Sequence, residues 1–522
     1  MSKRIISILS IILILSMLLS ACGGNNTGIE STPAGNTDPT VEIAVRDDLN
    51  FALVAEPKTL NPSLANNLVD YAVFHQIFNY LIDLKTDSTM VPGLAESWEY
   101  SEDGSEITFH LRKGVKFHNG DTMNAEDVAF SLNNAIGSAA TKNVTSMMDS
   151  AEVIDENTVL LKLKYPFGAI EFCIAASQMG IVNKKAYEAD PDGFGRNPVG
   201  TGPYKFVDWK GGDRIVLERF DDYYKGPAVI KDVTFIIMTD SSTAVLALEK
   251  GEVDIIDTPP RTEKQYLLTQ PQLKYYDTEI AATAFIAFNH EDEYFSNAKV
   301  RQAVAHSINK ETLIMGALEG DGTPLETPMA VNVFGWPEDF KFWEYDVEKA
   351  KALLAEAGYP DGFTITLKTT ESPTYSKPTE VIQDQLKQIG ITANIEKLER
   401  GAFWDSLLTK RDYGMGMAAW SVVYPDADHI YATFHSDMIT TGLNYMNYNN
   451  KDLDALLDEG RTSTDPERRK VIYREICELF KENSVMVPLY TYMSPIAADK
   501  NLKGVLPSPT NRMFVYDYYW EN

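Results

Sequence analysis

Hydrophobic and polar positions change period many times along this chain, and each change is sharply punctuated. Phe363, Ile365 and Leu367 alternate, as a strand with one buried face requires. Residues 378–389 then place Ile382, Leu386 and Ile389 on one helical face, and Gly390 stops the helix. Alternation returns at Ile391, Ala393 and Ile395. Strand, helix and strand at this spacing predict a βαβ unit with parallel strands. Residues 124–135 form a helix with Asn124 as N-cap and Asp127 placed for a capping box. Residues 346–357 form another, closed by Gly358 and Pro360. Asp465 caps a third, with Pro466 in its first turn and Val471, Ile472, Ile476, Leu479 and Phe480 as its apolar stripe. Residues 301–314 read as one further helix. Ile107, Phe109 and Leu111 make a strand, and Val115 and Phe117 a second one ahead of the Asn119-Gly120 turn. Gly200, Gly202 and Pro203 make a tight turn before Tyr204 and Phe206, a matter of backbone geometry rather than phosphate binding. The class is α/β with more than one domain, and there is no tandem repeat.

The first residues follow a different pattern. Lys3 and Arg4 precede an apolar run over residues 5–19, which ends in Leu19-Ser20-Ala21-Cys22. This predicts a signal peptide over residues 1–21. Small residues before a Cys resemble the lipobox of bacterial lipoproteins, which makes Cys22 the lipid-modified first residue of the mature chain. Residues 22–45 read as a flexible tether, since 23–40 carry no large apolar residue except Ile29. No later segment has ~18 uninterrupted apolar residues, the length a membrane span needs.

Charge narrows the partners. The chain has 47 Lys and Arg against 75 Asp and Glu over 522 residues, a net charge of −28. Removing residues 1–21 takes away Lys3 and Arg4 and no acid, which leaves −30. Such a surface excludes wrapping of nucleic acid and passive adhesion to anionic lipid. The length exceeds the ~250–300 residues of a single core. Beyond Cys22 there are two cysteines, Cys173 and Cys477, and Cys477 falls on the apolar side of its helix, as a buried free thiol does.

Motifs for chemistry are missing. The chain has no GxxxxGK[ST] loop, no GxGxxG after a strand, no GxSxG and no HExxH. The nearest approach to a metal cluster, Asp426, Asp428, His429 and His435, does not put three ligands on one helical face. No catalytic residue, metal or cofactor is assigned.

Six stretches, in order, resemble the family 5 extracellular solute-binding proteins of ABC importers. They are residues 94–131, 197–224 (opening NPVGTGPYKF), 246–256, 288–314, 345–367 and 418–429 (AAWSVVYPDADH). The resemblance implies a two-lobe fold of the periplasmic-binding-protein type II (cluster C), with a subdomain inserted in lobe I. Lobe I spans 46–279 with the insertion at about 86–195, lobe II spans 280–485, and 486–522 return to lobe I. It implies crossovers near 279–288 and 485–490, and a solute enclosed between the lobes. Trp420, Ser421, Tyr424 and Asp426 are expected on the lobe II wall. Asn66, Asn67 and Tyr71, in the 65–71 loop, face them from lobe I.

Two positions depart from the peptide-binding pattern. Val423 stands where many members carry an Asp for the peptide ammonium, with Asp426 or Asp428 as candidate substitutes. Residues 372–378 carry no Arg for the carboxylate, only Lys377. The leading reading is a monomeric receptor, lipid-anchored at the cell envelope, that delivers a peptide to a membrane permease and its ATPase. A non-peptide solute (metal–chelator complex, oligosaccharide or small organic molecule), a secreted hydrolase and an envelope sensor or adhesion protein are the alternatives.

Overall fold

The computed structural model describes residues 46–65, 67–510 and 512–521. The signal segment 1–21, the tether 22–45 with Cys22, and Asn66 lie outside the described residues. No helix of the described residues is long and apolar enough to cross a membrane.

Local signals and observed elements agree where a buried face and a cap coincide. Helix Ala125–Gly137 opens on a complete capping box: Asn124 Oδ1 accepts from Glu126 N and Asp127 N, and Asp127 Oδ2 accepts from Asn124 N. Strands Thr364–Thr370 and Thr392–Leu398 pair in parallel, with Ile365 opposite Ala393 and Leu367 opposite Ile395. Their connection returns past Gly362 so closely that a Cβ there would lie 2.0 Å from the Gly390 carbonyl oxygen. Both glycines have positive φ.

Four local expectations are corrected. The crossover helix is Pro373–Lys387, longer than 378–389 at its start. Pro373 takes the first-turn position that tolerates a missing N–H, and Pro378 lies inside the helix. Residues 301–314 are two helices, Ala298–Ser307 and Lys310–Leu318, because Asn309 caps the second by accepting from Thr312 N at 2.8 Å. Val115 and Phe117 are buried in a tight loop, closed by Phe117 N donating to the Asp121 carbonyl and Met123 N to the Val115 carbonyl around the isolated bridge Lys116–Thr122, rather than in a strand. Val471 is 48% exposed, one position off the buried stripe of helix Pro466–Asn483.

Twelve strands among the described residues form one mixed sheet. Its lobe II half runs Thr392–Leu398, Thr364–Thr370, Met415–Ser421 and Ala282–Phe288. Its lobe I half runs Ile255–Asp257, Asp48–Leu53, Asp232–Ile237, Arg214–Arg219 and Tyr204–Lys210. Strand Met486–Asp499 joins them. Val487 pairs with Ile286 in lobe II, and Met493 pairs with Glu279 on the lobe I side. The chain therefore changes lobe twice, side by side, at Ile280–Ala281 and at Tyr492–Met493. Residues 486–490, assigned from sequence to the return into lobe I, belong to the lobe II core with Val487, Leu489 and Tyr490.

Three large cores follow. Lobe II is built on residues 282–492. Lobe I packs Phe51, Phe74, Phe78, Tyr204 and Phe235 with the C-terminal Val515 and Tyr518. The inserted subdomain packs its own core from residues 80–181, joined by Tyr424 of lobe II, under a four-stranded antiparallel sheet. Cys173 and Cys477 are free and buried, in the subdomain and lobe II cores respectively.

The subdomain also docks on lobe II. Gly168 N donates to the Arg461 carbonyl at 2.8 Å, and the Gly168 carbonyl accepts from Arg469 Nη1 at 3.1 Å. A Cβ at Gly168 would stand 2.2 Å from the Ser463 carbonyl oxygen. Gly168→Ala is expected to part these surfaces at a cost of about 1–3 kcal/mol. Hydrogen exchange should quicken at residues 165–171 and 461–469 while the strand amides of both lobes stay protected.

Candidate functional site

Trp420 sits near the end of strand Met415–Ser421, directly opposite Thr283 of strand Ala282–Phe288. Paired residues face the same side of a sheet. The indole packs on Phe285, with ring centroids 4.0 Å apart, and meets Phe434 edge-on at 5.8 Å. Beyond Ser421 the chain leaves the sheet, guided by Val422 N donating to the Ala281 carbonyl at 2.9 Å. Trp420, Ser421, Val423, Tyr424 and His429 then form one side of a cavity of about 470 Å³. Met147 and Tyr165 of the inserted subdomain form the other.

Polar residues on its lining are Lys142, Asn143, Ser146, Ser421, His429, Thr433 and Arg461. Trp420 Nε1, Thr283 Oγ1 and His429 Nε2 are buried with no hydrogen-bond partner among the described residues. Leaving such a group unpaired costs about 1–3 kcal/mol, so these atoms keep bonding capacity in reserve. His429 Nδ1 faces the Asp426 carbonyl at 2.7 Å, which assigns the proton to Nδ1 and leaves Nε2 as an acceptor. Burial pushes the His429 pKa down to about 4, despite that hydrogen bond. The cavity thus combines an indole donor, an imidazole acceptor, the Ser421 hydroxyl and aromatic walls.

The two aspartates are committed elsewhere. Asp426 is fully buried, and Arg469 donates to both its oxygens, at 2.9 and 2.6 Å. Asp428 is gripped by Arg461 at 2.9 and 2.8 Å and accepts from the Tyr424 hydroxyl at 2.8 Å. Burial alone would lower the Arg469 pKa, but the Asp426 charge more than offsets this and holds the guanidinium protonated. Asp426 therefore anchors the loop under the cavity instead of lining it, and neither aspartate is open to a ligand ammonium. His435 stacks on Tyr431, 4.5 Å between centroids, and no metal-binding group of three is present among the described residues.

The lobe I candidates stand apart from this cavity. Asn67 caps helix Leu68–Ile77, accepting from Val69 N and Asp70 N at 2.9 and 3.2 Å. Tyr71 is half-buried on that helix, its ring 5.9 Å from Phe74. Neither lines the cavity around Trp420. His429 lines the cavity without having been expected there, because its placement depends on the carbonyl it meets, whereas Thr283 is fully buried behind Trp420 and does not line it.

A histidine held below its unfolded pKa stabilises the fold above that value, and this stability is lost as pH falls toward the folded pKa. For His429 the window is about 6.5 down to about 4. His429→Gln should flatten the acid-side loss of stability in that window, measured by urea melts at stepped pH. An unchanged slope would mean that folding does not shift the His429 pKa.

Residues 89–440 match the model for bacterial extracellular solute-binding proteins, family 5. The oligopeptide-binding protein AppA of Bacillus subtilis is 27% identical, with 99% of each chain aligned. The glutathione-binding protein GsiB of Salmonella choleraesuis is 30% identical over 88% of this chain and 91% of its own. The structure of HbpA2 from Haemophilus parasuis superposes with a TM-score of 0.84 at 28% identity, covering 91% of this chain and 100% of that one. The protein is a binding receptor and not an enzyme, which removes the hydrolase alternative. A two-lobe fold, a cavity walled by both parts of the molecule and full-length relatives agree: the chain belongs to the bacterial extracellular solute-binding proteins of family 5.

Proposed function

We propose that this chain is the receptor of an ABC importer that captures a peptide or peptide-like solute between its lobes, closes on it and delivers it to a membrane permease. One observation carries the reading: Trp420, Ser421 and Tyr424 share a cavity whose opposite wall is the inserted subdomain of the other lobe. A solute there touches both sides at once. It therefore favours the closed arrangement by as much as it binds that arrangement more tightly than the open one. Trp420 is the aromatic wall, and Ser421, Trp420 Nε1 and His429 Nε2 are the polar contacts. Asn67 and Tyr71 are the candidates to approach from lobe I as the lobes close.

A non-peptide solute is the second reading, and Val423 favours it. Its side chain borders the cavity, 48% exposed, and the nearby carboxylates of Asp426 and Asp428 are both filled by arginine. A solute with no free ammonium at this end suits those walls.

Attachment to the envelope follows from Cys22, which we assign as the lipidated first residue of a monomeric mature chain. Cys22→Ser should release the protein into the soluble fraction and abolish labelling by radioactive palmitate. Labelling that persists would refute the anchor.

Native mass spectrometry of the purified protein should show a small solute that leaves chemically unchanged. Trp420→Ala should then weaken calorimetric affinity for that recovered solute by about 10–100-fold, with the melting temperature of the solute-free protein little altered. Wild-type affinity in the variant would remove Trp420 from the site.

A further inference from the structure

Three arginines are buried among the described residues: Arg301, Arg469 and Arg512. Arg301 directs all three of its nitrogens at main-chain carbonyls. Arg469 spends its own on Asp426, Gly168 and Gly460. Arg512 differs. Its Nη2 donates to the Ala175 carbonyl at 2.5 Å, but its Nη1 has no hydrogen-bond partner among the described residues. No carboxylate there pairs with it; the nearby Asp83 is bound to Lys225 at 2.6 Å. An unneutralised buried cation is costly and calls for an anion.

Two more reserved polar atoms lie beside it. Tyr80 Oη and His75 Nδ1 are buried and without a partner among the described residues. The Arg512 guanidinium is 5.9 Å from the centroid of the Tyr80 ring, and the His75 ring is 6.2 Å from the same ring. His75 Nε2 is engaged by Ser177 Oγ at 2.9 Å. The Arg512 guanidinium and the Tyr80 phenol supply unused donors within lobe I, and His75 Nδ1 adds a further unpartnered polar atom.

The group lies near the passage between lobes. Pro509, three residues before Arg512, accepts from Ala281 N at 2.9 Å, and Ala281 in turn accepts from Val422 N. Ala175 belongs to the subdomain whose Phe172 ring meets Phe334 of lobe II at 6.4 Å.

We propose that Arg512, with Tyr80 and His75 beside it, is the lobe I anchor for a carboxylate or similarly compact anionic group of the solute. The inference rests on the receptor reading and names the chemistry of the solute: an acid group on the lobe I side, opposite a lobe II wall that offers no free carboxylate from Asp426 or Asp428. A free inorganic anion shares this chemistry, and the test separates the two sources.

Arg512→Met is compared with wild type in two measurements. Native mass spectrometry of the proteins as purified should find an acidic solute on wild type and at least ~tenfold less on the variant, the loss expected for one charge-assisted hydrogen bond. Melting of solute-stripped protein in acetate, phosphate and chloride at matched ionic strength should show anion stabilisation of wild type only. The stripped variant should melt no lower than wild type, because it has lost an unpaired buried charge. A stripped variant that melts lower while retaining its solute would make Arg512 a structural residue. Recovery of a solute without an acid group would overturn the anchor and leave the receptor standing. Anion stabilisation through Arg512 with undiminished solute retention would assign the site to a free ion and overturn the proposal. If wild type carries no solute but acetate stabilises it through Arg512, the receptor reading fails and the anion-binding group stands.

Discussion

Strand Met486–Asp499 hydrogen-bonds to lobe II over its first residues and to lobe I over its last. Alongside it, the passage from Leu273–Glu279 to Ala282–Phe288 crosses at the same level. Two neighbouring extended segments thus make both connections, and the ladders on either side resist shear. Relative motion of the lobes is then confined to bending across those segments, the hinge type of closure. The register shift between Ala284 and Phe285, where the ladder to the long strand is irregular, lies close to that bend. The cavity wall that Trp420 forms is positioned from this axis, since Trp420 hangs from the strand paired with Ala282–Phe288.

The ion pairs beneath the cavity have a different task. Burying Asp426 with Arg469 costs desolvation that the attraction roughly offsets, so the pair is weak evidence of stability. Its contribution is shape. Arg469 ties the loop after Trp420 to helix Pro466–Asn483 and, through the Gly168 carbonyl, to the subdomain across the cleft. Asp428 does the same for Tyr424 by way of Arg461. The loop that shapes the cavity is held from below by these two ion pairs, and Arg461 also reaches the cavity lining.

Much of the fold was legible because it rests on short-range rules. The Asn124–Asp127 cap, the βαβ unit at 363–395 and the apolar face of helix Pro466–Asn483 each need only a few neighbouring residues to be read. The errors were also local: Asn309 caps where a continuous helix was expected, and Pro373 rather than Pro378 takes the first turn. The cavity around Trp420, Ser421 and Tyr424 was legible only through family resemblance. The fate of Asp426 was not, since its partner Arg469 is 43 residues away and only the folded chain shows that they meet. Arg512 was invisible for the same reason: an arginine near the end of a chain gives no sign that it will be buried, or that one of its nitrogens will be left over.

Cys173 and Cys477 lie in different cores and are unbonded. Burial raises both thiols, so neither is a ready nucleophile in the folded protein. Among the described residues the fold is therefore completed without a disulfide. The two thiols also act as separate reporters. A thiol reagent that reaches Cys173 registers the opening of the subdomain, and one that reaches Cys477 registers the opening of lobe II, so the order in which the two halves of the molecule come apart can be followed without adding a label.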